Sequence, residues 1–125
     1  MVKSIVSVLV VFAILICGAV YETDFVQRQF NEFSVVLEQL YLKTNNHTAT
    51  EDDVLSAQKN WLEKKKYLHV FIPHNEIKEM DLWISEAIIL VRDEEWTDAV
   101  SKIEVLIDLT EQIPKTFRLS FENVL

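Results

Sequence analysis

The chain has 125 residues, enough for one small domain, and half of them are hydrophobic. Its single Gly and two Pro fall far below average usage, which argues against β-sheets with tight turns and favours an all-α fold. The formal net charge of −8 argues against nucleic-acid binding, and the lone Cys17 excludes an intrachain disulfide and a zinc site built from cysteine pairs.

The first predicted element is an uncharged apolar segment, residues 4–21, "SIVSVLVVFAILICGAVY". As a helix it would be about 27 Å long, close to the thickness of the hydrocarbon layer of a bilayer. Lys3 precedes it, whereas Glu22 and Asp24 follow it. Because positive charge stays on the cytoplasmic side, this order predicts a single-pass anchor in the cytoplasmic membrane with the N-terminus inside. Residues 1–21 would then form the anchor, and residues 22–125 an extracytoplasmic helical domain.

Two alternatives remain open for this segment. Cys17 and Ala19 place small residues at the −3 and −1 positions of a signal-peptide cleavage site after Ala19, which would release a secreted protein. Lipidation of Cys17 is the other alternative, but the residue before a lipidated cysteine is normally small, and here it is Ile16. The length of the apolar run favours the anchor, and so does Tyr21, which suits a membrane interface.

The first amphipathic segment continues from the anchor. Apolar residues recur every three or four positions from Val26 to Leu40, which predicts a helix with one buried side. No helix breaker separates Tyr21 from Phe25, so the anchor helix can run straight into this one. The polar stretch "TNNHTAT", residues 44–50, predicts the loop that ends the helix.

A second helix is predicted to start at Thr50, whose side chain can cap it, because acidic residues 51–53 follow in the first turn. Its apolar positions continue at helical spacing as far as Ile72, where Pro73 interrupts the pattern. Lys64–Lys66 lie toward its far end, where cations complement the helix dipole.

A third helix is predicted after Pro73, with Asn75 as its cap and an apolar stripe from Ile77 to Val91. The polar stretch "RDEEW", residues 92–96, separates it from a fourth helix. That helix is expected to end near Ile113, since the following proline cannot continue the hydrogen bonding. Residues 115–125 receive no assignment.

Short links between helices predict that neighbours pack antiparallel. The expected fold is therefore all-α, with an N-terminal transmembrane or signal-anchor helix followed by an antiparallel bundle of about four helices. A tetratricopeptide-like stack of helical hairpins is the alternative, because "EEWTDAV", residues 94–100, has the aromatic residue and alanine of that motif. The motif has no second copy at a fixed period.

One candidate site is the stretch "LHVFIPHNEI", residues 68–77. Zinc can take two histidines and a carboxylate, so His69, His74 and Glu76 are the residues of a possible metal site. Their spacing is not that of HExxH, and the helix is expected to break between the two histidines. The favoured interpretation is a structural corner, in which His74 and Asn75 satisfy free backbone groups at the helix junction.

Catalytic motifs are not recognisable in the sequence. It has no glycine-rich phosphate loop, no Gly-x-Ser-x-Gly elbow and no cysteine after the apolar segment, so no enzyme activity and no cofactor are predicted. The adjacent acidic residues are interpreted as solvated helix caps and not as a catalytic acid/base pair. Among the tryptophans, Trp83 falls off the main stripe of the third helix and is a possible contact for a partner protein.

The order of motifs is similar to that of a known family. After the apolar N-terminus come Trp61 with Lys64–Lys66, "FIPHNEI" at 71–77, an acidic turn with Trp96, and "LSFENVL" at 119–125. This chain resembles the small bacterial membrane-associated proteins grouped as domain of unknown function 4363, most specifically in the 71–77 string. The resemblance implies a bacterial origin, one N-terminal membrane segment and a helical extracytoplasmic domain. It carries over no catalytic or ligand residues.

The leading functional hypothesis is an accessory or scaffolding protein at the outer face of the cytoplasmic membrane. Such a protein would be held in the membrane by residues 4–21 and would present a helical surface to another membrane or envelope protein. The alternative, from a different class, is a small-ligand or metal-binding sensor that uses the His69–Glu76 corner. The oligomeric state is left open.

Overall fold

The computed structural model describes residues 1–124, and Leu125 lies outside the described part. In residues 1–124 the chain forms four α-helices and no strand. They are α1 (Val2–Asn45), α2 (Glu51–Leu68), α3 (His74–Arg92) and α4 (Trp96–Val124). Both α1 and α3 pack against α2 and against α4, so consecutive helices alternate in direction and close into a bundle. The all-α bundle predicted from the sequence is confirmed, and the packing of α1 on α4 distinguishes it from an open stack of hairpins.

Helix α1 joins the apolar segment to the bundle without a break. Its 44 residues correspond to about 66 Å of helix. Residues 1–18 are exposed, whereas the second half of α1 buries the predicted stripe along the bundle axis, which comprises Val26, Phe30, Phe33, Leu37 and Leu40. Among the described residues, α1 is the one helix that is long and apolar enough to cross a membrane, with a mean hydropathy of 2.7 over its most apolar 18 residues. By the same criteria it could be a signal sequence.

Trp61 lies at the centre of the core. Its ring centroid is 6.2 Å from that of Phe30 and 5.4 Å from that of Phe33, so α2 packs on α1 through aromatic contacts. The indole Nε1 donates a hydrogen bond of 2.8 Å to Asp81 Oδ1 in α3. Lys65 Nζ lies 2.6 Å from the other oxygen of the same carboxylate. One residue of α2 thereby contacts both neighbouring helices, and its buried polar atom has a partner.

Lys64 links α2 to α1. Its side chain is nearly buried, and its Nζ lies 2.7 Å from Glu32 Oε2 and 3.4 Å from Gln29 Oε1. The hydrogen bond from Lys64, together with its positive charge, lowers the pKa of the Glu32 carboxyl below its ordinary value. The lysines near the end of α2 therefore do more than complement the helix dipole, because Lys64 and Lys65 each bridge to a different helix.

The start of α2 is capped as the sequence predicts. The Thr50 side chain accepts from the Asp53 amide at 3.3 Å, and the Thr50 amide donates to Asp53 Oδ2 at 2.9 Å, which forms a capping box. The bond from the Thr50 amide is the main reason why the pKa of Asp53 lies below its ordinary value of 3.8, and Lys43 adds to this effect.

The start of α3 differs from the prediction. Its N-cap is Pro73, with no side-chain cap, and Asn75 lies exposed inside the first turn. Helix α2 also ends at Leu68, earlier than its apolar pattern suggested, because a turn closes where the amides of residues 71 and 72 donate to the Leu68 carbonyl. The extended Pro73 then presents its carbonyl to the amides of residues 76 and 77, so α3 starts at His74, two residues earlier than it would with Asn75 as its cap.

Helix α4 continues through Pro114, and the predicted end near Ile113 is wrong. A proline inside a helix costs about 3 kcal/mol relative to alanine, because it removes a hydrogen bond and crowds the preceding turn. Here Ile113 and Pro114 are buried, and the Phe117 ring packs against Phe71 at 6.2 Å between centroids. Burial of these side chains offsets the lost hydrogen bond, so the described residues after Pro114 remain helical.

The end of the bundle away from the apolar segment is closed by a contact between two loops. His47, after α1, stacks on Trp96 at the start of α4, with ring centroids 5.2 Å apart. His47 and Glu94 both have positive φ, the conformation that reverses the chain after α1 and after α3. The two chain reversals are therefore held side by side.

The two helix starts predict different responses to truncation of a polar side chain. Thr50→Ala should lower the free energy of unfolding by about 1 kcal/mol, because α2 loses its side-chain cap. Asn75→Ala serves as the matched control and should change it by less than about 0.5 kcal/mol, since Asn75 caps nothing. Chemical denaturation of the full chain and both variants in detergent measures the difference. Equal losses in the two variants would contradict these cap assignments.

Candidate functional site

The corner between α2 and α3 lies at the end of the bundle next to the apolar segment. The Phe71 ring contacts Phe25 of α1 and Phe117 of α4, each with 6.2 Å between ring centroids. Ile72 and Ile77, on either side of Pro73, are buried in the core. The corner is thus fixed to α1 about one helical turn after Tyr21.

The three possible metal ligands at this corner do not form a cluster. His69 is the exposed C-cap of α2, and its Nδ1 lies 3.1 Å from the Lys65 carbonyl oxygen. His74 is exposed at the first position of α3, and Glu76 is partly buried in the same turn. Burial, followed by repulsion from Glu79, raises the pKa of Glu76 above its ordinary value. Within residues 1–124, no group of three His, Cys, Asp or Glu side chains is arranged to hold a metal ion.

Trp83, the predicted partner contact, is partly buried between α3 and α4. It packs against the core, and Lys102 Nζ lies 4.6 Å from its ring centroid, a cation–π geometry. Lys102 Nζ also lies 3.6 Å from Glu86 Oε2. Only part of the Trp83 ring is therefore open to a partner protein.

Two further exposed apolar residues lie on α3, and the sequence reasoning missed them. Leu82 is 54% exposed and Ile89 is 47% exposed, and a spacing of seven places them on one side of the helix. Ile89 also borders a groove of about 360 Å³ between α3 and α4, which Glu86, Asp98 and Lys102 line with polar groups. The sequence did contain a sign of this surface, because Leu82 and Ile89 are apolar but lie outside the buried stripe of α3 that runs from Ile77 to Val91.

A second groove, of about 380 Å³, lies at the corner. Its lining residues come from α1, from the end of α2 and from the turn that follows, and they are Tyr21, Phe25, Lys66, Tyr67, Val70 and Phe71. Tyr67 is 62% exposed and Val70 is 71% exposed. The sequence analysis did not identify this groove, because its residues are brought together by contacts between helices.

Comparison with protein families gives a match over most of the chain. A family model described as "Domain of unknown function (DUF4363)" matches residues 23–124, which is the bundle without the apolar segment. No curated protein matches the chain, and no solved structure matches it.

A structural role for the corner predicts that stability does not depend on metal. The melting temperature of the full chain in detergent should be the same with zinc and with a chelator, in the parent and in His74→Ala. A ligand that binds the folded state must raise the melting temperature by mass action. A zinc-dependent rise of several degrees in the parent that disappears in His74→Ala would contradict this expectation and support the sensor alternative.

Proposed function

The chain belongs to the DUF4363 family, a domain family of unknown function, and on that premise we propose that it is a membrane-anchored accessory protein. It acts by contact with another membrane or envelope protein of a bacterial cell. The observation that carries the proposal is the continuity of α1, which runs from an exposed apolar segment into the core of the bundle. A helix of this kind couples a membrane anchor rigidly to a folded domain.

Residues 4–21 form the anchor and cross the cytoplasmic membrane once. Exposure of the whole of residues 1–18 supports this, because a long apolar segment that no helix covers needs an apolar solvent. Lys3 on one side and Glu22 and Asp24 on the other orient the bundle toward the outside. Ala19 is buried within α1, so cleavage after it would require local opening of the helix, which favours a retained anchor over a signal peptide.

The contact surface is the outer side of α3 around Leu82 and Ile89. Both side chains are about half exposed, and covering them in an interface would stabilise a complex by about 1 kcal/mol each. Trp83, the next residue along α3, is partly exposed, and aromatic residues are common at the centres of interfaces. Polar groups of the adjoining α3–α4 groove, such as Glu86 and Lys102, form the rim.

Site-specific photo-crosslinking in cells tests this proposal. A photoreactive amino acid at position 82 or 89 should yield a discrete crosslinked product of higher mass. The matched control is the same amino acid at Leu55 or Leu62 of α2, which are also seven residues apart and similarly exposed, at 40% and 45%. These control positions should not yield that product.

Protease added to intact spheroplasts gives the orientation in the same experiment. The crosslinked product should be digested, because the bundle lies outside the membrane. Equal crosslinking from α2 and α3 would contradict the α3 surface, and a product that resists protease until lysis would contradict the orientation.

A further inference from the structure

The end of the bundle nearest the apolar segment has exposed side chains of a kind that suits a bilayer interface. We propose that this end, defined here as the proximal surface of Tyr21, Lys66, Tyr67 and Val70, lies in the interfacial layer of the membrane and contacts lipid. The protein would then touch the bilayer at two places, through its anchor and through the α2–α3 corner. The inference rests on the membrane anchor of the proposed function and goes beyond it.

The level of the corner along α1 supports this placement. Phe71 contacts Phe25, and Phe25 lies four residues, or about 6 Å of helix, beyond Tyr21 at the end of the apolar segment. The polar layer on each side of the hydrocarbon is roughly 5–7 Å thick. A corner at the level of Phe25 is therefore within reach of the headgroups when residues 4–21 span the hydrocarbon.

Helix α4 provides a second, independent reason. It runs antiparallel to α1, and Phe117 lies at the level of the corner because it contacts Phe71. The seven residues from Arg118 to Val124 continue for about 10 Å toward the apolar segment. The bundle thus extends alongside the base of the anchor, which places this end of the bundle close to the membrane surface.

The chemistry of the proximal surface fits lipid. Tyrosine is enriched at the level of the headgroups, because its ring is apolar and its hydroxyl is polar, and Tyr21 and Tyr67 are both about two-thirds exposed. Val70, at 71% exposed, adds an apolar side chain at the tip of the turn. Lys66 can lay its methylenes on apolar surface and extend its ammonium to a phosphate.

Charge does not restrict the lipid to anionic species. Glu22 and Asp24 lie just after the apolar segment, and Asp24 pairs with Arg28 at 3.3 Å. These carboxylates offset the attraction that Lys66 exerts on anionic headgroups. The contact therefore depends on aromatic and apolar side chains in the interfacial layer, and it should form on phosphatidylcholine.

Depth-dependent fluorescence quenching in vesicles tests the inference with the full chain. An environment-sensitive fluorophore is attached to one cysteine at a time in phosphatidylcholine vesicles that contain lipid with a nitroxide at a shallow acyl position. Native Cys17 reports on the anchor. Val70→Cys and, independently, Tyr67→Cys report on the corner in a Cys17→Ser background, and these exposed positions tolerate substitution. Leu42→Cys is the matched control, because Leu42 is 60% exposed at the opposite end of α1.

The label at position 70 or 67 should lose most of its fluorescence to the nitroxide lipid, as the label on Cys17 does, whereas the label at position 42 should keep its signal. Quenching on Cys17 with none at 70 and 67 would overturn the lipid contact and leave the anchor intact. Absence of quenching at all positions would overturn both. Quenching at 70 and 67 without quenching on Cys17 would support the contact and overturn the anchor.

Discussion

Burial of one stripe of α1, from Val26 to Leu40, is the interaction around which the other three helices assemble. The stripe includes Phe30 and Phe33, and full burial of a side chain of this kind stabilises a fold by roughly 1.5–3 kcal/mol. The same helix is apolar on all sides over residues 4–18, which are exposed throughout. One helix therefore meets two environments, and the change from an all-round apolar surface to a single stripe determines where the bundle begins.

Polar contacts then select one arrangement of the helices. Apolar stripes tolerate small rotations, but the hydrogen bond from Trp61 to Asp81 does not, because a buried indole N–H without an acceptor costs about 1–3 kcal/mol. Lys65 bonds the same carboxylate, while Lys64 bonds Glu32 on the other side of α2. Neighbouring lysines thus hold α2 between α1 and α3. At the two ends of the bundle, the His47–Trp96 stack and the Phe25–Phe71–Phe117 contacts fix the loops.

Local patterns predicted much of the fold. The α1 stripe, the Thr50 cap and the number of helices follow from periodicity and from the chemistry of short segments, and all are observed. The errors concern Asn75 and Pro114, where local preference competes with tertiary packing. Nothing near Pro114 in the sequence indicates that Phe117 will pack on Phe71, a residue far away along the chain. The corner at residues 68–77 was identified as a place of interest, but its groove combines Tyr21 with Tyr67 and Val70, which only the folded bundle brings together.

Helix α1 is continuous from the apolar segment to the far end of the bundle. Pulsed electron–electron resonance between spin labels on Cys17 and on Leu42→Cys, with the full chain in lipid nanodiscs, measures this directly. The 25 residues between the two labels correspond to about 38 Å of straight helix. A narrow distance distribution near that value is the expected result. A broad distribution, or one centred at a much shorter distance, would show that the chain bends or unfolds between the apolar segment and the bundle, which would contradict a continuous α1.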